Sequence, residues 1–242
     1  MEDVVRAALI FKALGDESRL TMVRSLALGD RTPGELAEAT GMSSNLIAHH
    51  LSVLEDAGLV SRRLSEGDRR RRYVVLAVEE VSRYVAPRIA GGRVLFVCSH
   101  NSARSKFAEA ALRARGFHAE SAGAEPAKIV HPKAVQVAHE AGLTLDQHRP
   151  RSYRQVGGEL DLVVSVCDRA GEGAIPEARE RLHWSVPDPV LTGRVVDFRR
   201  AFKEISTRVD HLAMAINRGT PSTPIGSRFS PSVSPTIGSG HW

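Results

Sequence analysis

Apolar residues recur at helical spacing through the first part of the chain. Residues 4–14 (VVRAALIFKAL) and 18–28 (SRLTMVRSLAL) both carry the pattern, with Asp16 or Ser18 placed to cap the second helix. Thr32-Pro33 with Glu35 three residues after the threonine predicts a capped helix over TPGELAEAT, stopped by Gly41. Ser43 or Ser44 starts another helix, NLIAHHLSVLEDAG, stopped by Gly58, with Leu46, Ile47, Leu51 and Leu54 packing inward. LVSRRLS and RRRYVVL then read as two strands around the turn Glu66-Gly67-Asp68. Helix, helix, turn, helix, hairpin is the order of a winged helix-turn-helix, mainly α. It is expected over residues 1–90, with a last helical stretch at 77–90.

Gly91-Gly92 is the candidate boundary, and so short a junction implies that the two domains touch. Beyond it the pattern changes to alternation. RVLFVC is an apolar strand, followed by a loop and an Ala-rich helix from about 105 to 115. HAESAG, a helix near 132–142, DLVVSV at 161–166 and a helix at about 197–216 follow. Strands alternating with helices predict an α/β domain with a parallel sheet over residues 93–218. Residues 219–242 are rich in Ser, Pro and Gly and are expected to form a disordered tail.

Composition changes this picture little. No apolar run approaches the roughly 18 residues of a membrane helix. The acidic residues Glu2 and Asp3 at the N-terminus do not fit a secretory signal, so a cytoplasmic protein with no membrane partner is expected. Two cysteines in 242 residues exclude a disulfide framework and leave core filling or chemistry. Charge matters more by position than by total. Up to Gly92 there are 13 basic and 13 acidic residues, yet Arg62, Arg63, Arg69, Arg70, Arg71 and Arg72 crowd into the hairpin.

That placement points to double-stranded DNA. The helix starting at Ser43 and Ser44 would present those serines, Asn45, Ala48 and His49 to the major groove. The arginine-rich hairpin would follow the phosphate backbone or enter the minor groove. A merely solvated basic turn is the plainer alternative. His49 and His50 do not suggest a metal site, because successive helix residues point in different directions. Neither a metal nor a cofactor is expected anywhere in the chain. The stretch from FKALGDESRL to DAGLVSRR resembles the ArsR family of dimeric winged-helix repressors over roughly residues 5–85. The resemblance implies a homodimer, with the first helix and residues 77–90 as its expected interface. Family members that sense metalloids carry a Glu-Leu-Cys-Val-Cys-type motif where this chain has Glu35-Leu36-Ala37-Glu38-Ala39. That thiol site is absent, so any signal must come from elsewhere, with the attached domain as the obvious source.

The attached domain carries Cys98-Ser99-His100-Asn101-Ser102-Ala103-Arg104-Ser105, a Cys-x5-Arg loop between an apolar strand and a helix. The bare pattern is weak, but this context wraps backbone N–H groups around a tetrahedral oxyanion and adds the helix dipole. The same field favours a thiolate, making Cys98 the nucleophile, and Arg104 is suited to grip two anion oxygens. Asn101 and Ser102 are placed to hold the loop, and Ser105 to donate to the Cys98 sulfur. Asp188, between Pro187 and Pro189, is the candidate acid for a leaving oxygen, with an ordinary surface turn as the alternative.

VLFVCSHNSARS, ESAGAEP, HPKAV, DLVVSVCDRAGE and HWSVPDP, in that order, resemble the low-molecular-weight tyrosine phosphatase fold and its arsenate-reductase branch over residues 93–216. The resemblance implies Cys98 as nucleophile, Arg104 as anion clamp and Asp188 as acid. Cys167 matches the position of a resolving cysteine in the reductases, with a buried structural thiol as the alternative. Val190 and Leu191 stand where tyrosine phosphatases usually carry aromatic residues, and Ile175-Pro176 where thioredoxin-coupled reductases carry a third cysteine. A reductase cycle would therefore need an external thiol reductant. Three readings remain: a DNA-binding regulator with an arsenate-reductase-like domain, a low-molecular-weight phosphatase tethered to a DNA-binding domain, and a catalytically silent oxyanion or redox sensor.

Overall fold

The computed structural model describes residues 2–77, 81, 88–89, 91–145 and 149–219. The expected helical stretch at 77–90 and the tail beyond residue 219 lie almost wholly outside them. Among the described residues no helix is long and apolar enough to cross a membrane.

The N-terminal part follows its caps. Helices α1 (Glu2–Leu14) and α2 (Glu17–Leu26) are separated by Asp16, whose side chain accepts from the Arg19 N–H. Helix α3 (Pro33–Thr40) opens with a full capping box between Thr32 and Glu35 and ends at Gly41, which adopts the left-handed conformation. Helix α4 (Ser44–Asp56) is capped by Ser43. Ile47, His50, Leu51 and Leu54 form its buried stripe, at the i, i+3, i+4, i+7 positions of one helix face. Leu46 was expected to pack inward with them. It is instead 41% exposed, because it lies a residue off that stripe and His50 fills the i+3 place. Strands β1 (Val60–Leu64) and β2 (Arg72–Leu76) pair antiparallel, and Arg31 pairs with Val74 on the other side of β2. Met22, Val23, Leu36, Leu51, Leu54, Leu59 and Val74 close a small core.

The C-terminal part is built on four parallel strands in the order β4-β3-β5-β6. They are β3 (Val94–Cys98), β4 (Ala119–Gly123), β5 (Leu162–Ser165) and β6 (Glu180–His183). Every residue of β3, β4 and β5 is buried, as a sheet covered on both faces requires. The covering helices are α5 (Arg104–Arg113), α6 (Pro132–Glu140), the short α7 (Asp168–Gly171) and α8 (Pro189–Thr192), and the long α9 (Val195–Gly219). The chain leaves β3 towards β4 on one side and later enters β5 on the other. The carboxyl end of β3, where Cys98 stands, is therefore the switch point at which open α/β sheets bind ligands.

Strand β6 has no counterpart in the sequence expectation. Glu180 and Arg181 are exposed, and four residues with two surface charges give no apolar signal. Its free edge is covered by the N-terminal part: the Asp30 N–H donates to the His183 carbonyl at 2.7 Å, and Trp184 Nε1 donates to the Leu28 carbonyl at 2.7 Å.

Candidate active site and nucleic-acid face

The loop after β3 is held open by its carbonyls. Those of Cys98, Ser99, His100 and Ser102 accept from the N–H groups of Ala124, Glu125, Ala127 and His131, all on the segment following β4. With these carbonyls engaged on that segment, the Asn101 N–H is directed to Cys98 Sγ. Asn101 fixes the turn from within. Its φ of 48° is the one positive value at a non-glycine among the described residues. Its Nδ2 donates to Ser105 Oγ at 2.9 Å and Ser121 Oγ at 2.8 Å, while its Oδ1 accepts from the Arg151 N–H at 3.2 Å. Asn tolerates this left-handed backbone better than most residues, and the three bonds supply the compensation.

Close packing makes a second demand. A Cβ on Gly123 would lie 2.9 Å from the Asn101 nitrogen and 2.9 Å from the Ser99 oxygen, so the end of β4 meets the loop only because it has no side chain.

Inside this frame Cys98 is buried, with Sγ 3.1 Å from Ser105 Oγ and 3.2 Å from the Asn101 N–H that donates to it. Helix α5 begins with no side-chain cap at Ala103, so its first N–H groups take no partner from a capping side chain. Ser99 Oγ lies 3.5 Å from Cys167 Sγ, bringing the second thiol to the same site from the end of β5. Both cysteines are free. Burial pushes the Cys167 thiol above its ordinary range, and Arg104 offsets part of this. His100 is exposed and its ring meets the Glu125 carbonyl, so it points away from the loop centre.

Arg104 is almost fully buried. Its Nη2 lies 2.8 Å from Asp188 Oδ2, and its Nη1 donates to the Val186 carbonyl at 2.8 Å. Burial alone would weaken its charge. The surrounding Cys167, Asp188, Cys98 and Glu66 outweigh that and raise its pKa. Asp188 also caps α8 by accepting from the Val190 N–H at 3.1 Å. A cavity of about 310 Å³ opens beside it, lined among others by Glu66, Leu191, Thr192, Arg194 and Arg200. Among the described residues, no aromatic side chain lines it.

On the nucleic-acid side, Ser43, Ser44, Asn45, Ala48 and His49 are exposed together at the start of α4. Arg69, Arg70, Arg71 and Arg72 are exposed at the hairpin, with Arg70 paired to Asp68 at 3.0 Å. Arg62 is paired to Glu55 at 2.6 Å. Arg63, expected on DNA, is engaged within the protein. Its guanidinium turns inward to Glu204 of α9 at 2.8 Å and to the Ser185 carbonyl, because β1 presents alternate residues to the C-terminal part. Sequence reading also missed Glu66, whose carboxylate meets Arg104 at 3.3 Å. Nothing in its spacing marked it, since it looked like the polar residue of an ordinary turn.

Fold and loop together define an α/β domain with a thiol set in the loop between a strand and a helix, joined to a winged helix-turn-helix. A family model described as low molecular weight phosphotyrosine protein phosphatase matches residues 93–222, more than half the chain, and the protein belongs to that family. A second model, the bacterial regulatory protein arsR family, matches residues 16–62. Arsenate reductase 2 of Staphylococcus epidermidis is 30% identical over 124 residues, which are 48% of this chain and 92% of that protein. The HTH-type transcriptional regulator YceK of Bacillus subtilis is 35% identical over 86 residues, covering 35% of this chain and 82% of its own length. A solved arsenate reductase from Archaeoglobus fulgidus has 35% identity and a TM-score of 0.46, covering 50% of this chain and 98% of its own. The chain thus joins an arsR-type helix-turn-helix to an arsenate-reductase and phosphatase-like enzymatic domain.

Proposed function

We propose that the protein is a DNA-binding regulator whose second domain, residues 93–218, reduces arsenate with the thiols of Cys98 and Cys167. The observation that carries this reading is the meeting of both thiols at one oxyanion loop, with Ser99 Oγ in reach of Cys167 and the Asn101 N–H on Cys98. The loop residues Ser99 to Ala103 and Ser105 hold the anion, and Arg104 clamps it.

The chemistry balances over two thiols. Cys98 attacks arsenic and forms a sulfur–arsenic bond as one arsenate oxygen leaves as water. Cys167 then attacks the Cys98 sulfur, the sulfur–arsenic bond breaks, and its electron pair stays on arsenic. Arsenic falls from the pentavalent to the trivalent state, arsenite leaves, and two thiols have become one disulfide. An external thiol reductant returns the enzyme to its starting state.

The N-terminal domain, residues 1–90, binds double-stranded DNA through the exposed start of α4 and the arginines at 69–72. It does so as a homodimer. Val4, Val5 and Phe11 are more than half exposed on α1, an apolar face suited to a second copy.

The first experiment is the intact mass of pre-reduced protein after brief exposure to arsenate, beside an arsenate-free control. An arsenate-dependent loss of two hydrogens mapped to Cys98–Cys167 is the expected result, and an unchanged mass removes the reductase reading. A second reading, phosphate-ester hydrolysis with Asp188 as acid, is favoured by the 2.8 Å contact that puts this carboxylate beside Arg104. It predicts turnover of p-nitrophenyl phosphate that drops about a hundredfold or more in Asp188→Asn.

A further inference from the structure

The DNA-type hairpin of the N-terminal part ends inside the catalytic-type site of the C-terminal part. Glu66 stands at its tip. One carboxylate oxygen, Oε2, lies 3.3 Å from Arg104 Nη1, and the two oxygens accept from the Asp188 N–H at 2.9 and 3.1 Å. A carboxylate held by a guanidinium and a backbone N–H makes the contacts an oxyanion would make.

The tip is anchored on both sides of that carboxylate. The Glu66 N–H donates to Asp168 Oδ2 at 2.7 Å, on the residue that follows Cys167. Glu172 accepts from Ser65 Oγ at 2.6 Å, from the Asp68 N–H at 2.6 Å and from the Tyr73 hydroxyl at 3.1 Å. A Cβ on Gly67 would fall 2.3 Å from Glu172 Oε2 and 3.3 Å from the Arg169 nitrogen, so a side chain there would displace the Glu172 carboxylate from the turn.

With this seating, both ends of the Arg104 fork are filled: Nη1 by Val186 and Glu66, Nη2 by Asp188. A dianion entering the loop would place a third negative group against one buried guanidinium. Asp188 caps its own helix, α8, whereas Glu66 is carried in by the hairpin of the N-terminal part. A third negative group at that range is repelled by both carboxylates, and Glu66, which comes from the other half of the chain, would be the one to give way.

We propose that Glu66 is an internal competitor for the oxyanion, so that an anion binding at Arg104 expels the hairpin tip and frees the DNA-type hairpin from the C-terminal domain. The proposal rests on the oxyanion reading of the Cys98 loop given above. It gives the arsR-type half, whose residues 35–39 carry no thiol motif, a route for a signal by making its hairpin a ligand of the enzyme half. Linkage requires reciprocity: whatever holds the hairpin away from the site raises anion affinity by the same factor by which the anion loosens the hairpin.

The test uses the full chain and inorganic phosphate, which binds without being reduced. Glu66→Gln keeps the shape and removes the charge, and phosphate should then bind about tenfold more tightly by calorimetric titration. In the unaltered protein, saturating phosphate should speed hydrogen exchange at the Glu66 and Asp68 amides, a readout independent of any variant's folding. Arg104→Ala separates the two layers of the argument. If the unaltered protein binds phosphate and Arg104→Ala does not, while Glu66→Gln leaves affinity within twofold and hairpin exchange is unmoved, the competition is overturned and the oxyanion site stands. If phosphate fails to bind, or binds equally without Arg104, the oxyanion site itself falls and the competition with it.

Discussion

Arg208 of α9 grips Asp30 of the N-terminal part with both ends of its guanidinium, Nη1 to Oδ1 and Nη2 to Oδ2 at 3.0 Å each. The carboxylate is almost wholly buried and also accepts from the Ser185 N–H at 2.7 Å. Burial would weaken the Arg208 charge, but Asp30 and Glu204 outweigh it and raise its pKa. Removing one member of such a pair strands the other charge away from water. Asp30→Asn should cost about 3 kcal/mol of stability, read from urea unfolding, and should split a single unfolding transition into two. An unchanged midpoint would show that the contact between the two halves does not depend on this pair.

Gly123 carries a steric prediction for the oxyanion loop. Gly123→Ala drives a methyl group into backbone atoms at 2.9 to 3.0 Å, where no flexible side chain can yield. The loop must shift, so phosphate binding should be lost while stability falls by about 1–3 kcal/mol. A titration showing ordinary phosphate affinity in this variant would contradict the packing argument.

Glu120 supplies an acid-dependent term. Arg93 and Arg151 bond to its carboxylate and hold its pKa down, from an ordinary 4.5 to about 2. A carboxylate depressed in the folded state contributes stability that is fully present above about pH 4.5 and is lost as pH falls towards 2. Glu120→Gln should flatten the dependence of the urea midpoint on pH across that window. An equally steep dependence in the variant would assign the acid sensitivity to other groups.

Cys167 predicts the opposite trend for catalysis. Burial holds its proton more tightly than an ordinary thiol does, and in the proposed reductase cycle only its thiolate would attack the Cys98 sulfur. Disulfide formation after arsenate addition should accelerate from neutral pH towards and beyond 9, by about tenfold per pH unit while the thiol remains mostly protonated. Quenched-flow mass measurement would read it, and a rate flat from pH 7 to 9 would remove Cys167 as the limiting nucleophile.

Much of the molecule was legible because it is written locally. The Thr32–Glu35 capping box, the Ser43 cap and the glycine stop at Gly41 each involve residues within one turn of each other. The apolar runs of β3 and β5 and the Cys98–Arg104 loop between strand and helix are equally local. Leu46 misled because an apolar residue one position before the buried stripe looks the same in sequence, and only packing chose Ile47 with His50, Leu51 and Leu54. Strand β6 was invisible because its order comes from its neighbours β5 and Asp30, not from its own side chains.

The chain's own pattern, then, determined two folding units, the switch-point loop and the residue types gathered in it, all through periodicity, caps and short spacing. Tertiary structure alone decided that Arg63 leaves the nucleic-acid face for Glu204, that Asp30 meets Arg208, and that Glu66 reaches Arg104. Those pairs are separated by 38 to 178 positions, and the physical reason they escaped is general. A surface charge looks the same in sequence whether it faces water or a partner from the other half of the chain.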